Sequence, residues 1–338
     1  MPDYFVFGGC LRSELPFPEL TETSGRTPDW TLNVARLAPN DGAEILSDAS
    51  LSRTCHIRIS RSDRAFRYSH SCTGTFEVST DGSHILFDAA DGGDLNAART
   101  DFVSRVLLYC VNHGGVTWLH GSAVRIANSA VAFLGPSGAG KSTLALALTR
   151  VGAQHICDDT LPVEGGPEPI IWPSDHVIRL HPDSRQHLAS EAAAIRRETD
   201  GKFVLKQVAV CAEGAAISGA ELGTDRTPLG ALYLLNPVPM SESSRLTGTG
   251  VTRRLLPPRS AVPALMQHIK LGPVIRAEDP AHYMRQLGEI VRSVPVFELR
   301  VPRDWAAVDK VVEQLMAWHI GSGAEQETLA FSPLPVPA

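Results

Sequence analysis

Between Tyr4 and about Asp91 the apolar positions come in short runs broken by turn residues, the pattern of strands that bury one face. Cys55 to Ser60, Thr75 to Ser79 and His84 to Asp88 are three such runs, the last two joined through the hairpin signal Asp81-Gly82. They predict a small antiparallel sheet. The period then lengthens: across Asn96 to Asn112, Phe102, Val103, Val106, Leu107 and Cys110 share one helical face, and Gly114-Gly115 ends the run. A helix is therefore expected to link the sheet to the rest of the chain, with the domain boundary beside it. Two strands come next, Val116 to Leu119 and Ala123 to Ile126, then a polar turn at Ala127 to Ser129 and the strand Ala130 to Leu134. Farther on, Ala231 to Leu235 and Val294 to Leu299 read as strands, and Val308, Val311, Val312 and Leu315, between Trp305 and Trp318, read as the buried face of a C-terminal helix. The expected organisation is an α+β module over 1–95, a core with its linking helix over 96–320, and a Gly/Ser/Pro-rich tail over 321–338.

The strand Ala130 to Leu134 runs into Gly135-Pro136-Ser137-Gly138-Ala139-Gly140-Lys141-Ser142-Thr143, and the helical run Leu144 to Arg150 comes after it. The spacing G-x-x-x-x-G-K-[ST] wraps backbone N–H groups around phosphates at a helix N-terminus, where unpaired donors and the helix dipole both favour negative charge. On this reading Lys141, one of only five lysines in the chain, reaches the β and γ phosphates, and Ser142 ligates Mg²⁺. Past that helix, Ala153 to Cys157 reads as a short strand ending in Asp158-Asp159. Ligands of a parallel or mixed sheet bind outside the carboxyl ends of its strands, so the two acids are expected beside the phosphates, one for Mg²⁺ and one as proton acceptor. A solvated turn is the plainer account of such a pair. His120-Gly121 ends the strand before the loop; a histidine standing alone there would read as a hydrogen-bonded structural residue.

With 338 residues, 43% hydrophobic and 20% charged, the chain can bury a sizeable core. A net charge of -6 weakly disfavours a broad nucleic-acid or anionic-membrane surface. Cys10, Cys55, Cys72, Cys110, Cys157 and Cys211 are scattered with no C-x-x-C pair, and read as reduced thiols. With no basic and apolar leader and no apolar run of membrane length, a cytoplasmic protein is the expectation.

Leu119-His120-Gly121-Ser122, the loop with its Gly135-Pro136-Ser137 opening, and Cys157-Asp158-Asp159 resemble, in order and spacing, the HPr kinase/phosphorylase family and its stand-alone relatives, among them serine kinases of lasso-peptide pathways. The likeness runs over Trp118 to Glu164, with thinner similarity at Tyr4 to Leu20, Trp172 to Leu180, Asp200-Gly201-Lys202, Ala231 to Leu235 and Val294 to Leu299. The resemblance implies an α/β fold, the mixed-sheet P-loop variant shared with phosphoenolpyruvate carboxykinases. It also implies ATP and Mg²⁺ as cofactors and a homo-oligomer. Asp158 would be the base toward a serine hydroxyl, and His120 and Asp159 would form a hydrogen-bonded pair, Asp159 also holding Mg²⁺. Nucleotide contacts would come from Gly135, Ser137, Gly138, Ala139, Gly140, Lys141, Ser142, Thr143 and Lys202.

There are departures. Pro136 stands where the family often has Asp and offers no N–H, and no stretch like the Arg-Gly-Leu-Gly signature of the bifunctional enzymes is present. ABC-type ATPases have loops that read like this one, but the strand Leu232 to Pro237 ends in Asn236-Pro237 rather than in a magnesium-holding acid. A guanine-reading Asn-Lys-x-Asp is absent. Three function classes stay open: a kinase of a peptide or protein serine, a kinase of a small hydroxyl metabolite, and a nucleotide-gated binding protein without transfer. Arg179, Arg253, Arg254 and Arg259 are further candidates to clamp a phosphate or substrate anion, each with a surface role as its plainer reading.

Overall fold

The computed structural model describes residues 1–50, 54–111, 115–173, 177–180, 184, 187, 195–197, 203–206, 209–210, 216–217, 226–238, 251–270 and 280–320. Strands β1 (Asp3–Val6), β2 (Gly9–Ser13), β3 (Thr21–Thr23), β4 (Trp30–Val34) and β5 (Glu44–Ser50) open the chain. After them come β6 (His56–Arg61), β7 (Ala65–His70), β8 (Gly74–Ser79) and β9 (His84–Ala89). All nine form one sheet in the order β3-β1-β2-β4-β9-β8-β7-β6-β5. The expectation of a small antiparallel sheet is corrected on both counts, because β4 pairs in parallel with β2 on one side and with β9 on the other. Local turn signals report only hairpin neighbours, whereas β4 meets β9 after an excursion through four strands. Gly74 opens β8 at φ 134°, and a Cβ there would sit 2.3 Å from the Asp88 carbonyl, so only glycine lets these strands close.

The linking helix runs as α1 (Leu95–Asp101), a π-helical turn over Phe102–Val106, and α2 (Leu107–Val111). Asp94 caps it, its carboxylate accepting from the amides of Asn96 and Ala97. The predicted face is buried, and the helix packs into the core of the first sheet, with the Phe102 ring against Phe17 and Phe76. Burying such aromatic side chains is worth about 2 to 3 kcal/mol each.

The second sheet is built from β10 (Val116–Leu119), β11 (Gly121–Ile126), β12 (Ser129–Leu134), β13 (Gln154–Cys157), β14 (Leu161–Glu164) and β15 (Ile170–Ile171). Strands β16 (Val177–Leu180), β17 (Ile195–Arg197) and β18 (Phe203–Lys206) form a separate small sheet, and β19 (Ala209–Val210) pairs with β20 (Ala216–Ile217). The chain returns to the second sheet with β21 (Thr227–Val238), β22 (Thr252–Leu255) and β23 (Val296–Pro302). The order is β10-β14-β15-β21-β12-β11-β13, with β23 also on β21 and β22 on β23. The sheet is mixed: β12, β21 and β23 run parallel, and β11 is antiparallel to β12 and to β13.

Helices α3 (Lys141–Thr149), α4 (Pro258–Met266), α5 (Pro280–Ser293) and α6 (Val308–Ile320) pack against this sheet among the described residues. Alternation along β12 decides what each side chain meets. Ala130, Ala132 and Leu134 join Leu265 of α4 and Leu287 and Ile290 of α5, while Val131 and Phe133 join Ala145 and Leu148 of α3 and Val312 and Leu315 of α6. Helices therefore cover both faces, as the apolar run Ala130 to Leu134 requires. No helix among the described residues is long and apolar enough to cross a membrane.

The reading of all six cysteines as reduced is corrected. Cys55 and Cys72 are joined as a disulfide, because the β6–β7 register, which sets Ile57 opposite His70, carries on past the strand ends and brings the two together. Cys10, Cys110 and Cys157 are buried and outside any disulfide, and Cys211 lies outside the described residues. Burial pushes the Cys110 thiol well above its ordinary range.

Candidate active site

Strand direction gathers the candidate residues at one end of the second sheet. Gly121, at the start of β11, is opposite Leu134 at the end of β12, and Ala123 is opposite Cys157 at the end of β13. His120, the loop after Leu134, and Asp158-Asp159 thus emerge at the same edge. Leu234 of β21 is in register with Leu134, and β21 runs on past it to Val238.

The loop Gly135–Gly140 turns through left-handed backbone at Gly138 (φ 78°) and at Gly140 (φ 98°), the N-cap of α3. A Cβ at Gly135 would approach Ala139 and Leu235 to within 3.2 and 3.3 Å. Pro136, Ser137 and Gly138 are exposed at the tip, Ala139 is buried, and Ser142 and Thr143 are half-buried in the first turn of α3. Lys141 is 6% exposed, and its Nζ donates to the carbonyls of Gly135 (2.9 Å) and Pro136 (3.1 Å), so the cation lies along the inside of its own loop. The Thr143 hydroxyl lies 2.8 Å from that of Ser184.

The two aspartates differ sharply in surroundings. Asp158 is fully buried, and its Oδ1 accepts the Ser122 hydroxyl at 2.5 Å. Asp159 holds φ 64°, a left-handed conformation that aspartate tolerates better than most residues, and its side chain keeps about a fifth of its surface exposed. Lys270 Nζ sits 2.6 Å from Asp159 Oδ2 and 2.7 Å from the Thr160 hydroxyl. His120 Nδ1 lies 3.3 Å from Asp159 Oδ1 and 3.1 Å from the Asp159 carbonyl oxygen. The His120–Asp159 pairing that the resemblance implied is thus present as a contact.

Lys270 reaches the site because the chain after α4 runs back along β10. The His120 amide donates to the His268 carbonyl at 2.6 Å, Leu119 bridges Ile269, and the Lys270 amide donates to the Trp118 carbonyl. His268 itself is held neutral. Burial, then the charges of Lys141 and His120, lower its pKa from 6.5 to about 4.

Sequence reasoning missed Lys270, Ser122 and His268. The rarity of lysine was the available signal for Lys270, and Lys202, expected among the nucleotide contacts, lies outside the described residues. Ser122 stood inside the quoted motif without a role. Among the arginines, Arg253 donates to the Tyr233 hydroxyl and lies over the rings of Phe297 and Trp318, and Arg254 pairs with Glu298. Their partners lie on β21, β23 and α6 rather than on the loop. Arg259 is exposed on α4, and Arg179 is opposite Val204 on β18.

No protein-family model matches the sequence, and no curated protein matches it. Among solved structures the chain is similar to the Hpr(Ser) kinase/phosphatase from Coxiella burnetii, at 14% identity and a TM-score of 0.30, over 60% of this chain and 98% of that one.

Proposed function

We propose that this protein is an ATP-dependent phosphotransferase that moves the γ-phosphoryl group to a serine-type hydroxyl of a peptide or protein. One observation carries the reading: a glycine-rich loop with its lysine and helix N-terminus, a histidine and an aspartate pair meet at one sheet end. A binder of nucleotide alone needs the loop but not the acids.

In this reading the loop amides and Lys141 hold the phosphates and offset the charge that spreads over them during transfer. Asp158 takes the proton of the acceptor hydroxyl; the oxygen bonds to the γ-phosphorus as the bond to the β–γ bridging oxygen breaks, and that electron pair leaves with ADP. His120 and Lys270 fix Asp159. Ser142 and Asp159 would supply the hydroxyl and carboxylate oxygens, the hard donors that suit Mg²⁺, and the ion when bound would neutralise phosphate charge. The exchanged assignment, with Asp159 as base, has its own support in that Asp159 is the acid that reaches solvent.

The test is transfer from γ-labelled ATP to serine-containing peptides and, in parallel, to free hydroxy acids. Labelled peptide supports the proposal. Label only on hydroxy acids moves the protein to the metabolite class, and tight ATP binding with no acceptor labelled makes it a nucleotide-gated binder.

A further inference from the structure

A second cluster of chemistry-bearing side chains lies in the first sheet, outside the site above. The sulfurs of Cys55 and Cys72 and a ring nitrogen of His70 lie within 4.8 Å of one another, all three residues half-buried. The β6–β7 hairpin makes this cluster: its register sets Ile57 opposite His70, places Cys55 and Cys72 just beyond with Cα atoms 6.0 Å apart, and leaves His70 at the end of β7 beside them.

The orientation of His70 is fixed from behind. Its Nδ1 lies 2.7 Å from Oδ2 of Asp101, a carboxylate only 3% exposed. Asp101 also accepts from the Tyr68 hydroxyl (3.1 Å), the Thr73 hydroxyl (3.3 Å) and Arg105. A carboxylate with this many donors stays an acceptor, so Nδ1 carries the ring proton and Nε2 presents its lone pair. Nε2 is buried and makes no hydrogen bond. A buried nitrogen with no hydrogen-bond partner, held in place by a carboxylate behind the ring, is the arrangement found behind metal-ligating histidines.

We propose that, when the Cys55–Cys72 disulfide is reduced, the two sulfurs and His70 Nε2 bind one zinc-type divalent cation, with Asp101 as the positioning residue. Two thiolates and an imidazole select a borderline-soft ion such as Zn²⁺ over Mg²⁺ or Ca²⁺, which want oxygen. Rotation of the two side chains takes the sulfurs to the roughly 3.8 Å edge of a tetrahedron with 2.3 Å bonds. Each thiol gives up a proton on binding, so one cation displaces two protons, and a water fills the fourth position. Disulfide and metal use the same sulfurs and exclude each other. The remaining cysteines among the described residues are buried singly and offer no such set.

The experiment uses the full chain reduced with a water-soluble phosphine, which cleaves the S–S bond to two thiols and leaves as its oxide. After its removal under anaerobic conditions the protein is titrated with Co²⁺ as probe. The expected result is one Co²⁺ per chain, with a thiolate-to-cobalt charge-transfer band and the strong visible bands of tetrahedral cobalt, all bleached by stoichiometric Zn²⁺. Cys55→Ser with Cys72→Ser should abolish the charge-transfer band, and the unreduced chain should take up none. Asp101→Asn should weaken binding 10- to 100-fold while leaving the band position unchanged. No charge-transfer band in the reduced chain, or a band that survives the double serine substitution, overturns the proposal. X-ray absorption at the zinc edge of the unsubstituted reduced protein is independent of any variant's folding. Two sulfurs and a nitrogen in the first shell support the site, and a shell of oxygen and nitrogen alone overturns it.

Discussion

Lys270 Nζ lies 2.6 Å from Asp159 Oδ2 although 111 residues separate the two in sequence. Both side chains are mostly buried, at 12% and 21% exposure, so the pair is screened less than a surface ion pair. Lys270→Met should lower stability by about 2 kcal/mol, the scale of a hydrogen bond between charged groups. Urea melts of Lys270→Met, Asp159→Asn and the double variant should give a coupling energy of about 1 kcal/mol or more. Strict additivity would show that the contact contributes nothing.

Lys141→Ala removes the cation that lies inside the loop. ATP binding in the presence of Mg²⁺ should weaken and transfer should fall by at least ~10²-fold, measured by calorimetry and by labelled-phosphate transfer. Unchanged affinity and turnover would remove the nucleotide reading of the loop.

The aspartates separate by isosteric substitution. Asp158→Asn keeps shape while removing the proton acceptor, so ATP should still bind while transfer drops by about 10² to 10⁴. Asp159→Asn should in addition weaken the magnesium-dependent part of ATP binding. If the two variants exchange these behaviours, Asp159 is the base; near-native transfer in both would make the pair structural.

Two histidines give the stability of the fold a pH dependence. His268 and His319 both have pKa values lowered to about 4, chiefly by burial, from an ordinary 6.5. The unfolded chain takes up protons at these positions as pH falls through 6.5, and the folded chain resists until about 4. Their contribution is therefore present above pH 6.5 and lost progressively between 6.5 and 4. Urea midpoints should fall across that window. The Tyr233 hydroxyl lies 2.9 Å from His319 Nε2, a hydrogen bond that a Gln amide can make in either direction, so His319→Gln should flatten the dependence without a large loss at neutral pH.

The elements around the loop were legible in the sequence because they are local. Val116 to Leu119 and Ala130 to Leu134 are short, mostly apolar runs, the helix after Lys141 follows from the loop motif, and His120, Gly135 and Asp158 each sit at a strand end. What stayed hidden depends on pairing. Lys270 arrives through a single bridge between Leu119 and Ile269, Cys55 meets Cys72 through hairpin register, and β4 joins β9 in parallel. None of these leaves a periodic mark in its own segment.

The parallel contact between β12 and β21 also sets an order of events during synthesis. Ala130 of β12 and Leu229 of β21 pair in register although roughly a hundred positions separate them, while the neighbours β5 to β9 of the first sheet close through short turns. A growing chain can thus complete those hairpins early. One edge of β12, apolar on both faces, must wait until roughly a hundred further residues have been made. The glycine-rich loop is consequently assembled on a strand whose parallel partner leaves the ribosome roughly a hundred residues after it, and a chain that stops short of Thr227 exposes a ready template for aggregation.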